Sequence, residues 1–386
     1  MARERIYLDY NAGAPLRADV RAAMIEWLAM TGNASSVHAE GRAARARIEK
    51  ARRQVAALVG GDPDRVIFTS GGTEANVTVL SPAIRVGAGA ISVDMLLVGA
   101  SEHPSVLAGG RFPADRVETI PVDGDGLIDL AALEARLDGL ARSGKRALVS
   151  VMLANNETGT IQPVAAVAAI ARRHGALVHS DAVQASGRIP VDIAALGVDF
   201  LTLSAHKIGG PQGAGAIVLG GDLASPAPLL VGGGQEKYSR AGTQNVVAIA
   251  GFGLAAELAR TDLERMAHWA DWRAAIAAAA GPARVLSAGA PCLPQTIALA
   301  AEGLSAETLV IALDLEGIAI SAGSACSSGK VAVSHVMKAM NVPESHAKAA
   351  IRVSFGWETS ENDIRRFTEV WGRVMERLAP AKTIAA

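Results

Sequence analysis

The stretch ALVHSDAVQASGRIPVDIAALGVDFLTLSAHK, residues 176–207, contains two short apolar runs that each end in polar residues. The runs are ALVHSD (176–181) and DFLTLS (199–204). Short apolar runs that are bounded by polar and turn-forming residues are typical of buried β-strands. The stretch therefore predicts two strands, the first ending at Asp181 and the second followed closely by Lys207.

Similar runs recur along the first two thirds of the chain. They are RVIFTS (65–70), MLLVGA (95–100) and ALVSVML (147–153), and alanine-rich helical segments separate most of them. Residues 39–59 carry apolar positions at helical spacing, and a pair of glycines at 60 and 61 ends that helix. The alternation predicts an α/β fold in which helices flank a mainly parallel sheet.

Ligands of such sheets bind outside the carboxyl ends of the strands. The polar clusters at those ends are therefore the candidates for a functional site. They comprise residues 70–74, 102–103, 155–157, 181–184 and 204–207.

A chain of 386 residues is too long for one ordinary hydrophobic core, so its length predicts two domains. The second domain is expected to begin near residue 260. There the helical sequence LERMAHWADWRAAIAAAA (263–280) leads to two new strand-like segments, QTIALA (295–300) and GIAIS (317–321).

The composition describes a globular protein without a general affinity for polyanions. Hydrophobic residues make up 50% of the chain, charged residues 19%, and the formal net charge is −1. This balance predicts no direct nucleic-acid partner and no binding to anionic membranes. The basic run RAARARIEKARR (42–53) could touch RNA phosphates, but a solvated helix face is the simpler interpretation.

The lack of a recognisable signal peptide and the cysteine content predict a cytoplasmic protein. The N-terminus has only a three-residue apolar run, too short for a signal peptide, and glycine and prolines interrupt the apolar stretch 285–301. Two cysteines cannot form a disulfide framework, and a reducing compartment suits a thiol that stays free. We therefore expect a cytoplasmic protein that does not span a membrane.

Lys207 and Asp181 are the two groups that a pyridoxal phosphate (PLP) enzyme needs. A lysine forms a Schiff base with the cofactor, and an aspartate keeps its pyridine nitrogen protonated. Lone lysines after strands are usually solvated, so the pairing with Asp181 carries the argument. The glycine-rich IGGPQGAGA (208–216) that follows Lys207 is a segment whose backbone could wrap closely around another group.

A phosphate cradle is expected at TSGGTEAN (69–76), a strand-to-helix turn with small residues and hydroxyl groups. Ser204 and His206 are further possible phosphate donors. His103 could lie against the cofactor ring, although a single histidine at a strand end is more often a surface residue.

These motifs together resemble the cysteine desulfurases of the NifS/IscS type, within the class-V aminotransferase group of fold-type-I PLP enzymes. The resemblance extends from YLDYNAGAP (7–15) to IRVSFG (351–356). The matching motifs between these ends are TSGGTE, SEHPSV, NNETG, HSDAVQ, SAHK, GGGQE with RAGT, and SAGSACSSG. Because they occur in the order and at the spacing of that family, the resemblance is highly specific.

The resemblance implies a role for each candidate residue. Lys207 would hold PLP covalently, Asp181 would pair with its pyridine nitrogen, and His103 would stack on the ring and transfer protons. The other implied contacts are Gln184 and Asn156 to the ring, Gly72, Thr73, Ser204, His206 and Thr243 to the phosphate, and Arg352 with Asn156 to the substrate.

Cys326 lies in SAGSACSSGK (321–330), where small residues would let a loop carry a thiolate to and from the substrate. The resemblance implies conversion of L-cysteine to L-alanine with a persulfide on Cys326. We expect no resident metal, although Cys326 could transiently hold an iron–sulfur cluster. Cys292 lies between prolines and is interpreted as structural.

Other functions remain open from the sequence. A selenocysteine lyase or another class-V aminotransferase would share the PLP site but would not require Cys326, and the loop around Cys326 argues against the aminotransferase. A sulfur-carrier or scaffold protein would use Cys326 without the PLP residues.

The resemblance also implies an architecture and an assembly. Residues 1–14 would pack with the small domain, 15–260 would form the large PLP-binding domain, and 261–386 would form the smaller α+β domain that carries Cys326. Residues 232–245 would reach the phosphate of a second subunit in a homodimer. The sulfur acceptor would be a protein such as an iron–sulfur scaffold.

Two departures from the family pattern affect the substrate side. The opening motif reads NAGAP, where two threonines usually precede the proline, and Ala34 replaces a usual proline. The sequence does not predict the effect of either departure.

Overall fold

The computed structural model describes residues 5–87, 89–221, 224–323 and 333–378. The strands are β1 (Ile6–Tyr7), β2 (Val66–Thr69), β3 (Ala83–Val86), β4 (Gly89–Ser92), β5 (Met95–Gly99), β6 (Val117–Ile120), β7 (Ala147–Ser150), β8 (Leu177–Asp181), β9 (Phe200–Ser204), β10 (Gly215–Leu219), β11 (Ala224–Pro226), β12 (Arg284–Val285), β13 (Thr296–Ala300), β14 (Ile318–Ala319), β15 (Ser321–Ala322) and β16 (Ala350–Ser354).

The helices lie between these strands. They are α1 (Ala18–Trp27), α2 (Ala39–Leu58), α3 (Gly72–Val79), α4 (Pro104–Leu107), α5 (Leu130–Arg142), α6 (Val164–Arg173), α7 (Ile193–Leu196), α8 (Val246–Asp262), α9 (Met266–Ala278), α10 (Ala306–Leu315), α11 (His335–Ala339), α12 (Glu344–Ala347) and α13 (Glu361–Leu378). The helix predicted over residues 39–59 is confirmed as α2, and Gly60 follows it in the left-handed region at φ 63°.

A seven-stranded sheet in the order β2-β10-β9-β8-β7-β5-β6 forms the centre of the fold. Strands β6, β5, β7, β8 and β9 run parallel to one another, so the mainly parallel sheet is confirmed. Strand β10 is antiparallel to both β2 and β9, and the sequence reasoning did not identify it. The five strands predicted from apolar runs are all present, and they are buried along nearly their whole length.

The glycine-rich segment 208–216 approaches other parts of the chain closely, and its glycines permit that packing. A Cβ on Gly215 would lie 2.5 Å from the backbone carbon of Gly71, and one on Gly209 would lie 2.6 Å from Trp357. The absence of a side chain at Gly215 therefore lets the start of β10 lie against the turn that precedes α3.

Apolar side chains cover both faces of the central sheet. On one face α2, α5, α6 and α8 bury residues such as Val55, Leu137 and Phe252. On the other face α3 and β3 contribute Val79 and Ile84 to a second cluster. Burial of both faces is the reason that these strands read as continuous apolar runs in the sequence.

A second sheet has four antiparallel strands in the order β12-β13-β16-β15. Its core includes Ile351, Phe355 and Trp371 and is packed by α9, α10 and α13. Strand β1 pairs in parallel with β14, and Ile6 lies in the same apolar cluster. The division of the chain at residues 14 and 260 stays a prediction.

The basic run on α2 is only partly a solvated face. Arg42, Arg45 and Arg53 are exposed, as interpreted, but Arg52 is buried. Its guanidinium group donates to both carboxylate oxygens of Glu236, at 2.7 and 3.0 Å. Arg52 therefore connects α2 to the chain segment that precedes α8.

Glu236 belongs to a strained turn. Glu236, Lys237 and Tyr238 all have left-handed backbone conformations, at φ 47°, 53° and 64°. Consecutive non-glycine residues in this region are costly, so surrounding contacts must hold them. The buried carboxylate of Glu236, which also accepts from the backbone N–H of Phe68 at 3.0 Å, provides those contacts.

None of the helices within the described ranges has the length and apolar character needed to cross a bilayer.

We predict that Glu236→Ala lowers the free energy of unfolding by about 3–5 kcal/mol, because it removes the buried carboxylate that pairs with the buried Arg52. The matched control is Glu49→Ala, since Glu49 is the half-exposed second partner of Arg52. Its loss should cost at most about 1 kcal/mol. Urea unfolding followed by tryptophan fluorescence measures both values. Equal effects of the two substitutions would contradict a structural role for the buried pair.

Candidate active site

A cavity of about 290 Å³ opens where the carboxyl ends of β7, β8 and β9 meet. Most of the predicted site residues line it: Gly72, Thr73, His103, Asn156, Asp181, Gln184, Ser204, His206, Lys207 and Arg352. Thr243 is exposed and does not line the cavity. Cys326 lies outside the described residues.

Lys207 reaches the cavity from the short turn that follows β9. Its ammonium group donates to the backbone carbonyl oxygens of Asn11, at 2.6 Å, and Ala12, at 2.9 Å. These contacts hold the side chain against the N-terminal segment. A primary amine that is partly removed from solvent is suited to react with a carbonyl group once it loses a proton.

Asp181 ends β8 and is buried at the cavity wall. Its Oδ1 accepts from the backbone N–H of Val183 at 2.9 Å, and its Oδ2 accepts from the amide of Asn76 at 2.7 Å. Both bonds stabilise the charged carboxylate, which needs donors where it is removed from water. The arrangement presents a negative charge to whatever group occupies the cavity.

The predicted phosphate cradle lies at the N-terminus of α3, with Ser204 and His206 beside it. A Cβ added to Gly72 would lie 3.1 Å from Val183 and 3.5 Å from Ser204, so only glycine leaves this corner open. Burial, aided by the charges of Lys207 and Arg188, lowers the pKa of His206 to about 4. His206 is therefore neutral near pH 7 and can donate a hydrogen bond to an anion.

His103 is held by the first turn of α4. Its Nδ1 accepts from the backbone N–H of Ser105 at 3.1 Å, and the Ser105 hydroxyl lies 2.8 Å from the same nitrogen. Burial lowers the pKa of His103, while the negative charge of Asp181 acts in the opposite direction. A neutral imidazole at this wall can accept and return a proton.

Arg352 comes from β16 of the second sheet and is 2% exposed. Its guanidinium group donates to the backbone carbonyl of Asn156 and to Asp9 Oδ1, each at 2.8 Å. The Asp9 carboxylate of this ion pair is itself partly exposed. Arg352 thus brings a positive charge into the cavity from outside the central sheet.

Sequence reasoning missed Asn11, which connects several parts of the site. Its amide nitrogen donates to the Asn156 carbonyl at 3.2 Å and to Thr296 at 3.1 Å. Its carbonyl oxygen accepts from Gln184 at 3.0 Å. Asn11 is part of the opening motif, but a single asparagine in a sequence does not indicate that its side chain is buried and hydrogen-bonded to several segments.

Sequence reasoning also missed Arg188, which lies behind Gln184. Arg188 donates to the side-chain oxygens of Asn11 and Gln184 and to the carbonyl oxygens of Tyr10 and Lys207. Burial and the nearby Arg352 lower its pKa to about 9. Arg188 therefore places a buried positive charge behind Gln184, next to the cavity.

Glu157 lies where the chain leaves and re-enters the segment that contains Cys326. Its Oε2 accepts from the Ser334 hydroxyl at 2.5 Å and would lie 3.7 Å from a Cβ on Gly323. Burial raises the pKa of Glu157 to about 7, against the lowering effects of the Ser334 hydrogen bond and of Arg352. Its charge state therefore changes near neutral pH.

The departures in the opening motif lie mostly outside the cavity. Ala12 lines it, whereas Gly13 and Ala14 do not. Ala34 is buried, and its carbonyl oxygen accepts from Arg45 at 2.9 Å. Cys292 is half-buried and lies 3.4 Å from the carbonyl oxygen of Ser287, and burial raises the pKa of its thiol.

Metal-ligating side chains do not cluster in the part of the chain that the structure describes. No group of three or more histidine, cysteine, aspartate or glutamate residues there could hold a metal ion.

Comparison with known proteins gives consistent matches over nearly the whole chain. The profile of the family "Aminotransferase class-V" matches residues 6–367. A cysteine desulfurase of Cereibacter sphaeroides is 41% identical over 97% of both chains. A solved NifS-like protein of Rickettsia africae has a TM-score of 0.85 and 33% identity, covering 97% of this chain and all of its own. The predicted fold class is thereby confirmed.

A further solved structure is described as SspA in complex with cysteine. It has a TM-score of 0.72 and 26% identity, and the match covers 91% of this chain and 99% of that one.

We predict that Glu157→Gln reduces the loss of folding stability that accompanies a rise in pH from 5 to 8. Glutamate in an unfolded chain ionises near pH 4.3, whereas Glu157 in the folded chain ionises at about 7. Its contribution to stability is therefore full below about pH 4.5 and is lost as pH rises through 7. Relative to the parent, Glu157→Gln should gain up to about 3 kcal/mol between pH 5 and pH 8.

Urea midpoints at the two pH values measure this difference. The control is Glu369→Gln, which removes an exposed carboxylate on α13. Parallel pH profiles for the parent and Glu157→Gln would show that Glu157 does not ionise abnormally.

Proposed function

This chain belongs to the class-V aminotransferase family, and from that premise we propose that it is a PLP-dependent cysteine desulfurase. The reaction converts L-cysteine and a protein thiol into L-alanine and a protein persulfide. It requires no external oxidant or reductant, because the carbon is reduced as the sulfur is oxidised. The observation that carries the proposal is the placement of Lys207 and Asp181 on one cavity with a phosphate cradle and Arg352. The family match and the named relatives support it.

The residues of the cavity fit PLP. Lys207 supplies the amine for a covalent link, and Asp181 supplies a buried carboxylate that stabilises a protonated pyridine nitrogen. Gly72, Thr73, Ser204 and His206 would hold the phosphate, His103 would lie on the ring, and Gln184 and Asn156 would contact its edge. Bound PLP supplies an electron sink for the substrate carbon atoms.

Arg352 would bind the carboxylate of L-cysteine. Its guanidinium group is planar and offers paired donors, the geometry that a carboxylate matches best. The contact with Asn156 fixes one edge of that group, and Asp9 would yield its place to the substrate. The α-proton of the substrate would pass to the Lys207 amine.

Cys326 would accept the sulfur. Its thiolate attacks the substrate sulfur, an S–S bond forms, and the Cβ–S bond breaks with its electron pair remaining on carbon. That carbon takes a proton to become the methyl group of alanine. His103, with an imidazole near the cavity, would move protons in these steps.

We infer that two subunits complete each site. Thr243 is exposed on the segment before α8, and Arg240 of that segment donates to the Glu74 carboxylate at 3.0 Å, one residue after Thr73. The strained turn at Glu236–Tyr238 fixes the direction of this segment. A two-fold axis would let Thr243 of each subunit complete the partner's phosphate cradle.

The persulfide would pass to a sulfur-acceptor protein such as an iron–sulfur scaffold, in the cytoplasm. The near-neutral net charge and the low cysteine content support this setting.

We predict that Cys326→Ser abolishes persulfide formation while PLP binding persists, because the cofactor residues lie elsewhere in the chain. The matched control is Cys292→Ser, which removes the other cysteine and should form persulfide at the parental rate. Intact-protein mass spectrometry after incubation with L-cysteine detects one added sulfur atom. Persulfide on the Cys326→Ser protein, or its loss in Cys292→Ser, would refute the assignment.

We predict a homodimer in which Thr243→Val weakens PLP binding about tenfold, since one hydrogen bond to a charged phosphate is lost. Thr261→Val is the control, because the Thr261 hydroxyl bonds only to its own helix, at the Leu258 carbonyl. Sedimentation gives the oligomeric state, and equilibrium dialysis gives the PLP dissociation constant. A monomer with parental PLP affinity would contradict both the dimer and the role of Thr243.

A further inference from the structure

Asn76 lines the cavity from α3 and is 1% exposed, yet no sequence signal gave it a role. Its amide group forms hydrogen bonds with three different elements. The nitrogen lies 2.7 Å from Asp181 Oδ2 and 3.0 Å from Ser105 Oγ, and the oxygen lies 2.6 Å from Thr202 Oγ1. All three partners are buried, so each must be matched as donor or acceptor.

The branch toward His103 has a fixed direction. The backbone N–H of Ser105 can only donate, so His103 Nδ1, which accepts from it at 3.1 Å, carries no proton. The Ser105 hydroxyl, 2.8 Å from the same nitrogen, must then donate to it as well. A hydroxyl has one proton, so Ser105 Oγ must accept from Asn76.

The branch toward His179 runs through Thr202. The amide oxygen of Asn76 can only accept, so the single hydroxyl proton of Thr202 points to it. Thr202 Oγ1 must therefore accept from His179 Nε2, which is 3.0 Å away. His179 is fully buried, which lowers its pKa to about 3, so the ring is neutral and its Nδ1 accepts from Ser150 Oγ at 2.8 Å.

We propose that Asn76 is a positioning residue of this site: its amide group donates to Asp181, turns the Ser105 hydroxyl toward Nδ1 of His103, and turns the Thr202 hydroxyl away from His179, which keeps the His179 proton on Nε2. Every bond from Ser150 through His179, Thr202 and Asn76 then donates toward the Asp181 carboxylate. Aligned hydrogen bonds of this kind polarise one another. Neutral N–H groups of Asn76 and Val183 thereby donate to both oxygens of Asp181.

The consequence for the reaction rests on the proposed function. With Nδ1 of His103 occupied as a double acceptor, the ring can exchange protons with the cavity only through Nε2. Asn76 therefore acts on the chemistry through two other residues, Asp181 and His103. Its loss should reduce kcat about 10–100-fold with little change in KM for L-cysteine.

The test is the tautomeric state of the histidine rings in the PLP-bound enzyme. Long-range proton–nitrogen NMR on protein labelled with ¹⁵N in histidine reports which ring nitrogen carries the proton. His103→Asn and His179→Asn assign the signals, each by the loss of one set. We expect both rings of the parent enzyme to carry the proton on Nε2.

Two substitutions of Asn76 should act differently. Asn76→Leu removes the acceptor of the Thr202 hydroxyl, which can then donate to His179, so the proton of His179 should shift toward Nδ1. Asn76→Asp keeps an acceptor for Thr202 but offers no donor to Ser105. The Ser105 hydroxyl should then turn away from His103, changing the Nδ1 signal of His103 and leaving the His179 tautomer unchanged.

A substitution at the buried Asn76 can itself disturb folding, so a second variant tests the same hydrogen bond from its other partner. Thr202→Val removes the hydroxyl with almost no change in side-chain size. It should shift the His179 tautomer as Asn76→Leu does and leave His103 unchanged. Thr78→Val is its matched control on α3, because the bond of the Thr78 hydroxyl among the described residues is to the Glu74 carbonyl of its own helix. Thr78→Val should alter neither histidine.

A proton on Nδ1 of either histidine in the parent would overturn the proposal. So would an unchanged His179 tautomer in both Asn76→Leu and Thr202→Val. An enzyme that shows the expected tautomers but forms no persulfide would instead refute the proposed function, because the hydrogen-bond directions do not depend on Cys326.

Discussion

Burial of polar groups at the carboxyl ends of β7, β8 and β9 is the constraint on which the rest of the structure depends. These strands are covered on both faces, so Ser150, Asp181 and Ser204 lie at the strand ends without access to bulk water along the strands. Each polar group there must find a protein partner or a ligand. Helix α3, which follows the neighbouring strand β2, supplies such partners through Asn76, which bonds to both Asp181 and Thr202.

The charges of the site follow from the same constraint. Asp181 is balanced by neutral donors, and Arg188 by neutral acceptors, so neither is neutralised by a direct ion pair among the described residues. Lys207 and Arg352 add positive charge on the cavity wall. The site is therefore arranged to bind anionic groups such as a phosphate and a carboxylate while it keeps one carboxylate of its own.

The N-terminal segment unites the two sheets. Its strand β1 pairs with β14, its Asp9 holds Arg352, and its Asn11 bonds to groups on both sides of the cavity. A few residues at the start of the chain therefore fix the position of Arg352 relative to Lys207. Small changes in this segment act on the substrate side of the cavity, where Ala12 is part of the lining.

The sequence by itself determined five strands of the central sheet, helix α2, the mainly parallel arrangement, the polar clusters at the strand ends and the family. These features are local, because side-chain periodicity and short motifs depend on neighbours along the chain. Only the tertiary structure decided that β10 is antiparallel, that Arg52 is buried against Glu236, and that Asn76 joins Asp181 to His103 and His179. Those outcomes depend on contacts between residues far apart in the chain, and the direction of each buried hydrogen bond is fixed only once all its partners are in place.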